Sequence, residues 1–120
     1  ALLLGMGAAL SAADLVVSRA GASTLGEYPY FGLPALLVPY PYAWRYQKTN
    51  ASWLESHGAA AIIRDEDLPA RLLPAVRELL DAPNRQKLAQ LRQAMTALSN
   101  PHAAGAIADL VMELAAGGQP

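Results

Sequence analysis

Three short apolar runs divide the first half of the chain. They occupy residues 15–18, 35–38 and 60–63, and each is bounded by a glycine or proline within three residues. Continuous apolar runs of this length predict strands that are buried on both faces of a sheet. The segments between them, about residues 23–31 and 46–57, are long enough to form helices. Because parallel strands need such crossovers, the pattern predicts an α/β fold with a parallel sheet.

After Arg64 the pattern changes to helical spacing. Residues 65–67 are all acidic, and we interpret them as the solvated entry of a helix. Pro74 then predicts a kink or a late start of this helix, and Asn100 with Pro101 predicts the N-cap and first residue of a last helix that runs to about residue 115. Pro29 predicts that the earlier helix over 23–31 is short or distorted. The chain is expected to end in three helices, whose apolar residues are Leu68, Leu72, Leu73, Val76, Leu79, Leu80, Leu88, Leu91, Met95, Leu98, Ile107, Val111 and Leu114.

Length and composition limit the chain to one ordered unit. It has 120 residues, 53% of them hydrophobic, which suffices for one core and not for two full domains. The uncharged stretch 1–13 is shorter than the roughly 20 residues of a membrane span and follows no basic segment of the kind that opens a signal peptide. We therefore predict that residues 1–13 belong to the core.

Charge and residue types exclude several kinds of partner. Nine basic and ten acidic residues give a net charge of −1 with no cluster of one sign, which disfavours nucleic acid as a partner. The absence of cysteine excludes disulfides and a thiolate nucleophile. His57 and His102 are far apart in the sequence and are interpreted as structural, so we expect no metal site and no cofactor.

The first segment with candidate chemistry follows the first predicted strand. Gly21 and Ala22 permit close approach to the backbone, while Ser23 and Thr24 place hydroxyls beside the N–H groups of a helix N-terminus, which together favour an anion. Glu27 lies one turn later and could accept two hydrogen bonds from a ribose diol. The alternative is that Ser23 only caps the helix and Glu27 stabilises its first turn.

A second candidate segment follows the second predicted strand. Pro39 and Pro41 hold the backbone extended, so a shaped loop is expected at the same edge of the sheet. Gln47 and Asn50 share one helix face, and the Gln47 amide could offer both a donor and an acceptor to sugar hydroxyls. The alternative is that Gln47 and Asn50 cap the start of the helix.

These segments, taken in order, resemble a known family. The resemblance rests on residues 13–27 (ADLVVSRAGASTLGE), 32–35 (GLPA), 38–41 (VPYP), 47–51 (QKTNA) and 58–60 (GAA). The chain is similar to the carboxyl-terminal domain of family 28 glycosyltransferases that transfer N-acetylglucosamine (GlcNAc) from UDP-GlcNAc to lipid I, making lipid II for peptidoglycan. The resemblance implies a GT-B fold, of which residues 1–120 form a partial, Rossmann-like donor-binding domain.

The resemblance also implies roles for individual residues. In the family loop, backbone amides and a threonine approach the diphosphate sugar and a glutamate holds the ribose, and Gln47 matches a glutamine used on the donor sugar. Leu3 matches a position whose backbone faces the uracil. The substrate-binding residues implied by the residues and the resemblance together are Arg19, Gly21, Ala22, Ser23, Thr24, Glu27, Gln47, Asn50 and Leu3. Ala20 and Tyr42 depart from the serine and histidine common in the family.

The function implied is an inverting, metal-independent hexosyl transfer by the intact enzyme, located peripherally on the cytoplasmic face of the bacterial membrane. A lipid-linked acceptor, the membrane contact and the catalytic base are expected from an amino-terminal domain that these residues do not contain, so we expect this chain alone to be inactive. The alternatives are another family 28 UDP-sugar transferase that makes a glycolipid, or a non-catalytic donor-binding subunit.

Overall fold

The computed structural model describes residues 5–42 and 44–117, leaving aside the side chains of residues 44 and 45. In chain order the elements are α1 (Met6–Ala12), β1 (Val16–Ser18), α2 (Thr24–Phe31), β2 (Ala35–Leu37), α3 (Trp44–Ser56), β3 (Ala60–Ile62), α4 (Leu68–Leu80), α5 (Arg85–Ala97) and α6 (Ala103–Gly117), with 3₁₀ turns at Asp65–Asp67 and Ala82–Asn84. The strands pair in the order β1-β2-β3, and both pairs are parallel. The predicted α/β fold is confirmed.

Burial is complete only for the central strand of the described sheet. All three residues of β2 are buried, whereas β1 and β3 are partly exposed and Val17 of β1 is 42% exposed. The expectation that all three apolar runs are buried on both faces is therefore wrong for β1 and β3. The reason is that each has a neighbouring strand on one side alone, so side chains next to its free edge meet solvent.

One face of the sheet is covered by the helices that carry the candidate site. Ala35 and Leu37 of β2 point to this face, where they pack with Tyr28 of α2, Leu54 of α3 and Met95 of α5. Successive side chains of a strand alternate between faces, which explains why Ala35 and Leu37 lie together. Helices α2 and α3 therefore lie on the same side of the sheet, as right-handed crossovers require.

The other face is covered mainly by α4. Leu36 of β2 packs there with Ile63 and with Leu79 of α4. Helix α5 reaches this face too, through Leu88 and Leu91 in its first half, while Met95 in its second half lies on the opposite face. The apolar residues of α5 therefore belong to two core clusters.

The described part of the uncharged start of the chain is not core. Its described part forms α1, in which no residue is buried, and Leu10 is a partly buried residue that packs against the cluster containing α2. The prediction for residues 1–13 is wrong in this part because residues 5–12 are mainly glycine and alanine. Small side chains of this kind give a helix too little apolar surface to bury.

Helix α2 is short, as Pro29 predicted, and it spans eight residues. It ends in a Schellman motif, in which the Gly32 N–H donates to the Pro29 carbonyl at 3.0 Å and the Leu33 N–H donates to the Tyr28 carbonyl at 2.9 Å. Gly32 has a φ of 58°, in the left-handed region that disfavours a side chain. The same motif ends α3 at Gly58, where φ is 71°.

These two glycines give a stability prediction. A Cβ on Gly32 would stand 2.5 Å from Thr96 Oγ1, whereas a Cβ on Gly58 would meet nothing closer than Ala94 Cβ at 4.0 Å. We expect Gly58→Ala to lower the free energy of unfolding by about 1 kcal/mol through backbone strain alone, and Gly32→Ala by about 2 kcal/mol because Thr96 must also move. Urea unfolding measures both changes. Adding Thr96→Ala should reduce the loss of unfolding free energy in Gly32→Ala to that of Gly58→Ala. Equal losses in the two single glycine variants would contradict the predicted clash with Thr96.

The starts of two C-terminal helices can be compared with the sequence expectation. Helix α4 begins at Leu68 and runs through Pro74, so the late start is wrong. Helix α6 spans Ala103–Gly117, and Pro101 and His102 form the turn before it. The Asn100 side chain accepts the His102 N–H at 3.3 Å, and the Asn100 carbonyl accepts the Ala103 N–H at 3.2 Å, so the predicted capping by Asn100 is confirmed at the turn that leads into α6.

Helix α6 presents an apolar face to solvent. None of its residues is buried, and five large apolar side chains are more than half exposed: Ile107, Leu110, Val111, Met112 and Leu114.

Within the part of the chain that the structure describes, no helix combines the length and the hydropathy needed to cross a membrane.

Candidate functional site

The candidate residues lie where the three parallel strands end. We call this the carboxyl edge, and it consists of residues 19–23 after β1, 38–42 after β2 and 63–67 after β3. In open parallel sheets, ligands bind outside the carboxyl ends of the strands. The sequence predicted that the first two of these loops share one edge, and the strand order places them side by side.

The loop after β1 closes on itself before α2 begins. Thr24 is 4% exposed, and its hydroxyl donates to the Gly21 carbonyl at 2.6 Å. The Thr24 N–H also bonds to Gly21, at 3.1 Å, and the Leu25 N–H bonds to Ala22 at 3.2 Å. The N–H groups of Thr24 and Leu25, which the sequence suggested for an anion, are therefore already bonded within the loop. The Thr24 hydroxyl is bonded within the loop as well.

Ser23 and Ala22 form the exposed tip of this loop. Ser23 stands at the N-cap position of α2 but makes no side-chain cap hydrogen bond, so the capping alternative is wrong for Ser23. Its carbonyl instead accepts the N–H groups of Gly26 and Glu27. The exposed tip is the part of the loop that a ligand could reach.

Glu27 lies in the first turn of α2 and is exposed. Across residues 5–42 and 44–117, no hydrogen bond or ion pair involves its carboxylate. A carboxylate in this position suits two roles, a contact to ligand hydroxyls or a favourable interaction with the helix N-terminus.

Gln47 and Asn50 join the first loop to the second. The Gln47 Oε1 accepts the N–H of Ala20 at 3.3 Å and the N–H of Tyr40 at 2.9 Å. The Asn50 Nδ2 donates to the carbonyl of Ala20 at 3.0 Å. Both residues lie inside α3, which begins at Trp44, so the alternative that they cap its start is wrong. Because the Gln47 oxygen is already bonded twice, its NH₂ group is the part that remains for a ligand.

Arg19 crosses the whole edge. Its guanidinium donates to the Val38 carbonyl at 3.3 Å, forms an ion pair with Asp65 and lies over the Tyr40 ring at 5.2 Å from the centroid. Residues 65–67 do lead into α4, as interpreted from the sequence, but Asp65 is also paired with Arg19. Its partner lies 46 residues earlier in the chain, and no local pattern in a single sequence indicates such a pair.

A cleft of about 980 Å³ lies beside this edge, and Gln47 is not among its lining residues. Its lining comes from the loop after β2, one face of α3 and the end of β3: Pro39, Tyr40, Pro41, Tyr42, Lys48, Ser52, Glu55, Ile62, Arg64, Asp65 and Glu66. The hydrogen bond and charge of Asp67, together with the charge of Glu66, raise the pKa of Arg64. Glu55 accepts the outward N–H of Ile62 at 3.2 Å. No pattern in the sequence predicts this cleft.

The histidine at the end of α3 has a structural partner. His57 Nδ1 donates to the Trp53 carbonyl at 2.7 Å, and the centroids of the His57 and Trp53 rings are 4.5 Å apart.

Over the described ranges, no group of three or more histidine and acidic side chains is arranged to hold a metal ion.

The predicted site residues are thus only partly brought together. Gln47 and Asn50 both bond to Ala20, which follows Arg19 directly in the chain, and Gly21 to Thr24 continue the same loop. Glu27 follows on α2, on the same side of the sheet as α3. Leu3 lies outside the described residues.

Comparison with known proteins identifies the class. Residues 3–109 match the family model described as the glycosyltransferase family 28 C-terminal domain, and the chain belongs to this family. A relative from Desulforudis audaxviator is 47% identical over 92% of the chain and is named UDP-N-acetylglucosamine--N-acetylmuramyl-(pentapeptide) pyrophosphoryl-undecaprenol N-acetylglucosamine transferase. A relative from Desulforamulus reducens with the same name is 43% identical over 84% of the chain.

A solved structure agrees with this assignment. The crystal structure of MurG from Acinetobacter baumannii superposes with a TM-score of 0.81 and 32% identity, over 93% of this chain and 32% of that one. The chain is therefore similar to the carboxyl-terminal part of MurG in both sequence and fold. It spans only about 30% of the length of the first curated relative.

Proposed function

We propose that this chain is the donor-binding part of an inverting N-acetylglucosaminyltransferase that transfers GlcNAc from UDP-GlcNAc to lipid I, giving lipid II. The observation that carries the proposal is the arrangement around Gln47. Its side chain is fixed between Ala20 and Tyr40 at the carboxyl edge, in a chain that belongs to a family of glycosyltransferases. The name that these relatives share supports the choice of donor and acceptor.

The proposed donor follows the edge from one loop to the next. The exposed tip at Ala22 and Ser23 takes the diphosphate through backbone N–H groups, and Glu27 accepts hydrogen bonds from the ribose hydroxyls. The NH₂ group of Gln47 donates to an oxygen of the sugar. Leu3 offers its backbone to the uracil. Fixed donors at the diphosphate would also stabilise the charge that develops on the leaving UDP.

The acceptor side of the reaction is assigned to residues outside this chain. The lipid-linked acceptor, the catalytic base and the peripheral contact with the cytoplasmic face of the membrane belong, in this proposal, to an amino-terminal domain. The 120 residues alone are then expected to bind the donor weakly and to transfer no sugar.

The test is product formation by the full-length protein. Radiolabelled UDP-GlcNAc is supplied with lipid I in one reaction and with diacylglycerol in a matched reaction, and the lipid products are separated by chromatography. Label in lipid II alone is the expected result. Label in a diacylglycerol product would favour a glycolipid synthase of the same family. No transfer to either acceptor, with UDP-GlcNAc bound, would favour a non-catalytic donor-binding subunit.

A further inference from the structure

Asp65 is the first residue of the 3₁₀ turn that follows β3, and it reaches back to the loop after β1. Its carboxylate forms an ion pair with Arg19. The side chains of Arg19 and Asp65 are 45% and 37% exposed, so the pair is partly shielded from water. Asp65 thus links the first strand end to the third, across the second.

Arg19 has further contacts that keep its guanidinium in one place. It donates to the Val38 carbonyl at 3.3 Å and stacks on the Tyr40 ring, both in the loop after β2. One side chain therefore joins all three strand ends of the carboxyl edge. A charge that must satisfy a carbonyl, a carboxylate and an aromatic face together has few alternative positions.

The residue next to Arg19 is held just as closely. The N–H of Ala20 bonds to Gln47, its carbonyl bonds to Asn50, and Ala20 is fully buried. Arg19 and Ala20 therefore anchor the start of the loop together, and the exposed tip at Ala22 and Ser23 follows two residues later.

We propose that Asp65 is a positioning residue for the donor: it holds Arg19, and thereby sets the loop 19–23 before the ligand arrives. This inference rests on the proposed function. Asp65 itself contacts no part of the donor in this scheme. Pre-set loops raise affinity because less conformational freedom is lost on binding.

The experiment compares Asp65→Ala with Asp67→Ala in the full-length protein. Asp67 is the matched control because it is an acidic residue of the same 3₁₀ turn whose partner is Arg64 instead of Arg19. Two quantities are measured: hydrogen exchange of the Ala20 and Tyr40 amides without ligand, and UDP affinity by calorimetry. Asp65→Ala is expected to speed exchange at both amides and to weaken UDP binding about fivefold, the size expected for a half-exposed ion pair. Asp67→Ala should change neither quantity.

Two further variants show whether Asp65 acts through Arg19. Asp65→Glu keeps the charge and should restore most of the UDP affinity. On an Arg19→Ala background, Asp65→Ala should produce no additional loss, because the partner is already absent.

The outcomes separate this inference from the proposed function. Wild-type protein that binds UDP, with Asp65→Ala binding it equally well, overturns the positioning role alone, whether or not amide exchange changes. An equal loss in Asp67→Ala also overturns it, because the effect would then belong to the turn as a whole. Wild-type protein that binds no UDP overturns the proposed function and, with it, the role of Asp65 in donor binding.

Discussion

Replacing Glu27 with alanine is expected to weaken the binding of UDP and of UDP-GlcNAc by the same factor, about ten- to a hundredfold. Both ligands contain the ribose, and a hydrogen bond to a charged group contributes about 1.5 to 3 kcal/mol. Isothermal calorimetry on the full-length protein measures both affinities. Circular dichroism checks that α2 and the rest of the fold remain.

A matched control for this variant is Glu113→Ala, which removes the same charge from an exposed position on α6. Its UDP affinity should equal that of the wild type. Unchanged UDP affinity in Glu27→Ala would remove Glu27 from the site. The remaining role would be its interaction with the N-terminus of α2, visible as a loss of about 0.3 to 1 kcal/mol in the free energy of unfolding.

Replacing Gln47 with alanine is expected to weaken UDP-GlcNAc more than UDP, with the excess about three- to tenfold. The excess reports the hydrogen bond from the Gln47 NH₂ group to the sugar, which UDP lacks. The alanine variant also removes the oxygen that accepts the N–H groups of Ala20 and Tyr40, so UDP affinity itself should fall. The sequence alone predicts an effect on the sugar nucleotide only, and the two N–H contacts change that expectation.

Gln47→Glu separates the two roles of the side chain. A carboxylate keeps the acceptor for both N–H groups, so amide exchange at Ala20 and Tyr40 should remain as slow as in the wild type. Exchange should be faster in Gln47→Ala. Equal loss of UDP and UDP-GlcNAc in Gln47→Ala would show that Gln47 only fixes the loops and does not contact the sugar.

The sequence predicts the strands well and their burial poorly. The apolar runs at 15–18, 35–38 and 60–63 each contain a strand of the structure, because a continuous apolar run bounded by turn residues is a local signal. Whether a strand is central or at an edge depends on pairing between distant segments. Val17 and Leu36 lie in similar runs, yet only Leu36 is enclosed.

For the candidate site, the sequence predicts which segments come together but not which atoms bond. The position of Gln47 and Asn50 at the same edge as the loop after β1 follows from the parallel direction of the strands, which the sequence predicts. The partner atoms do not follow, since Ala20 offers only backbone groups and carries no recognisable side-chain signal. Arg19 and Asp65 were each visible in the sequence as charged residues, but their pairing depends on three strand ends meeting at one edge.

Glu55 makes the two edges of the described sheet different in their free backbone hydrogen-bonding groups. By accepting the outward N–H of Ile62, its carboxylate occupies a group that a strand from another molecule would need on the β3 side. On the β1 side, Val16 and Ser18 bond to β2, so the backbone groups of Val17 between them point away from the sheet. The outward backbone groups of Val17 can therefore pair with a further strand next to β1, whereas next to β3 such a strand would have to displace Glu55 from the N–H of Ile62.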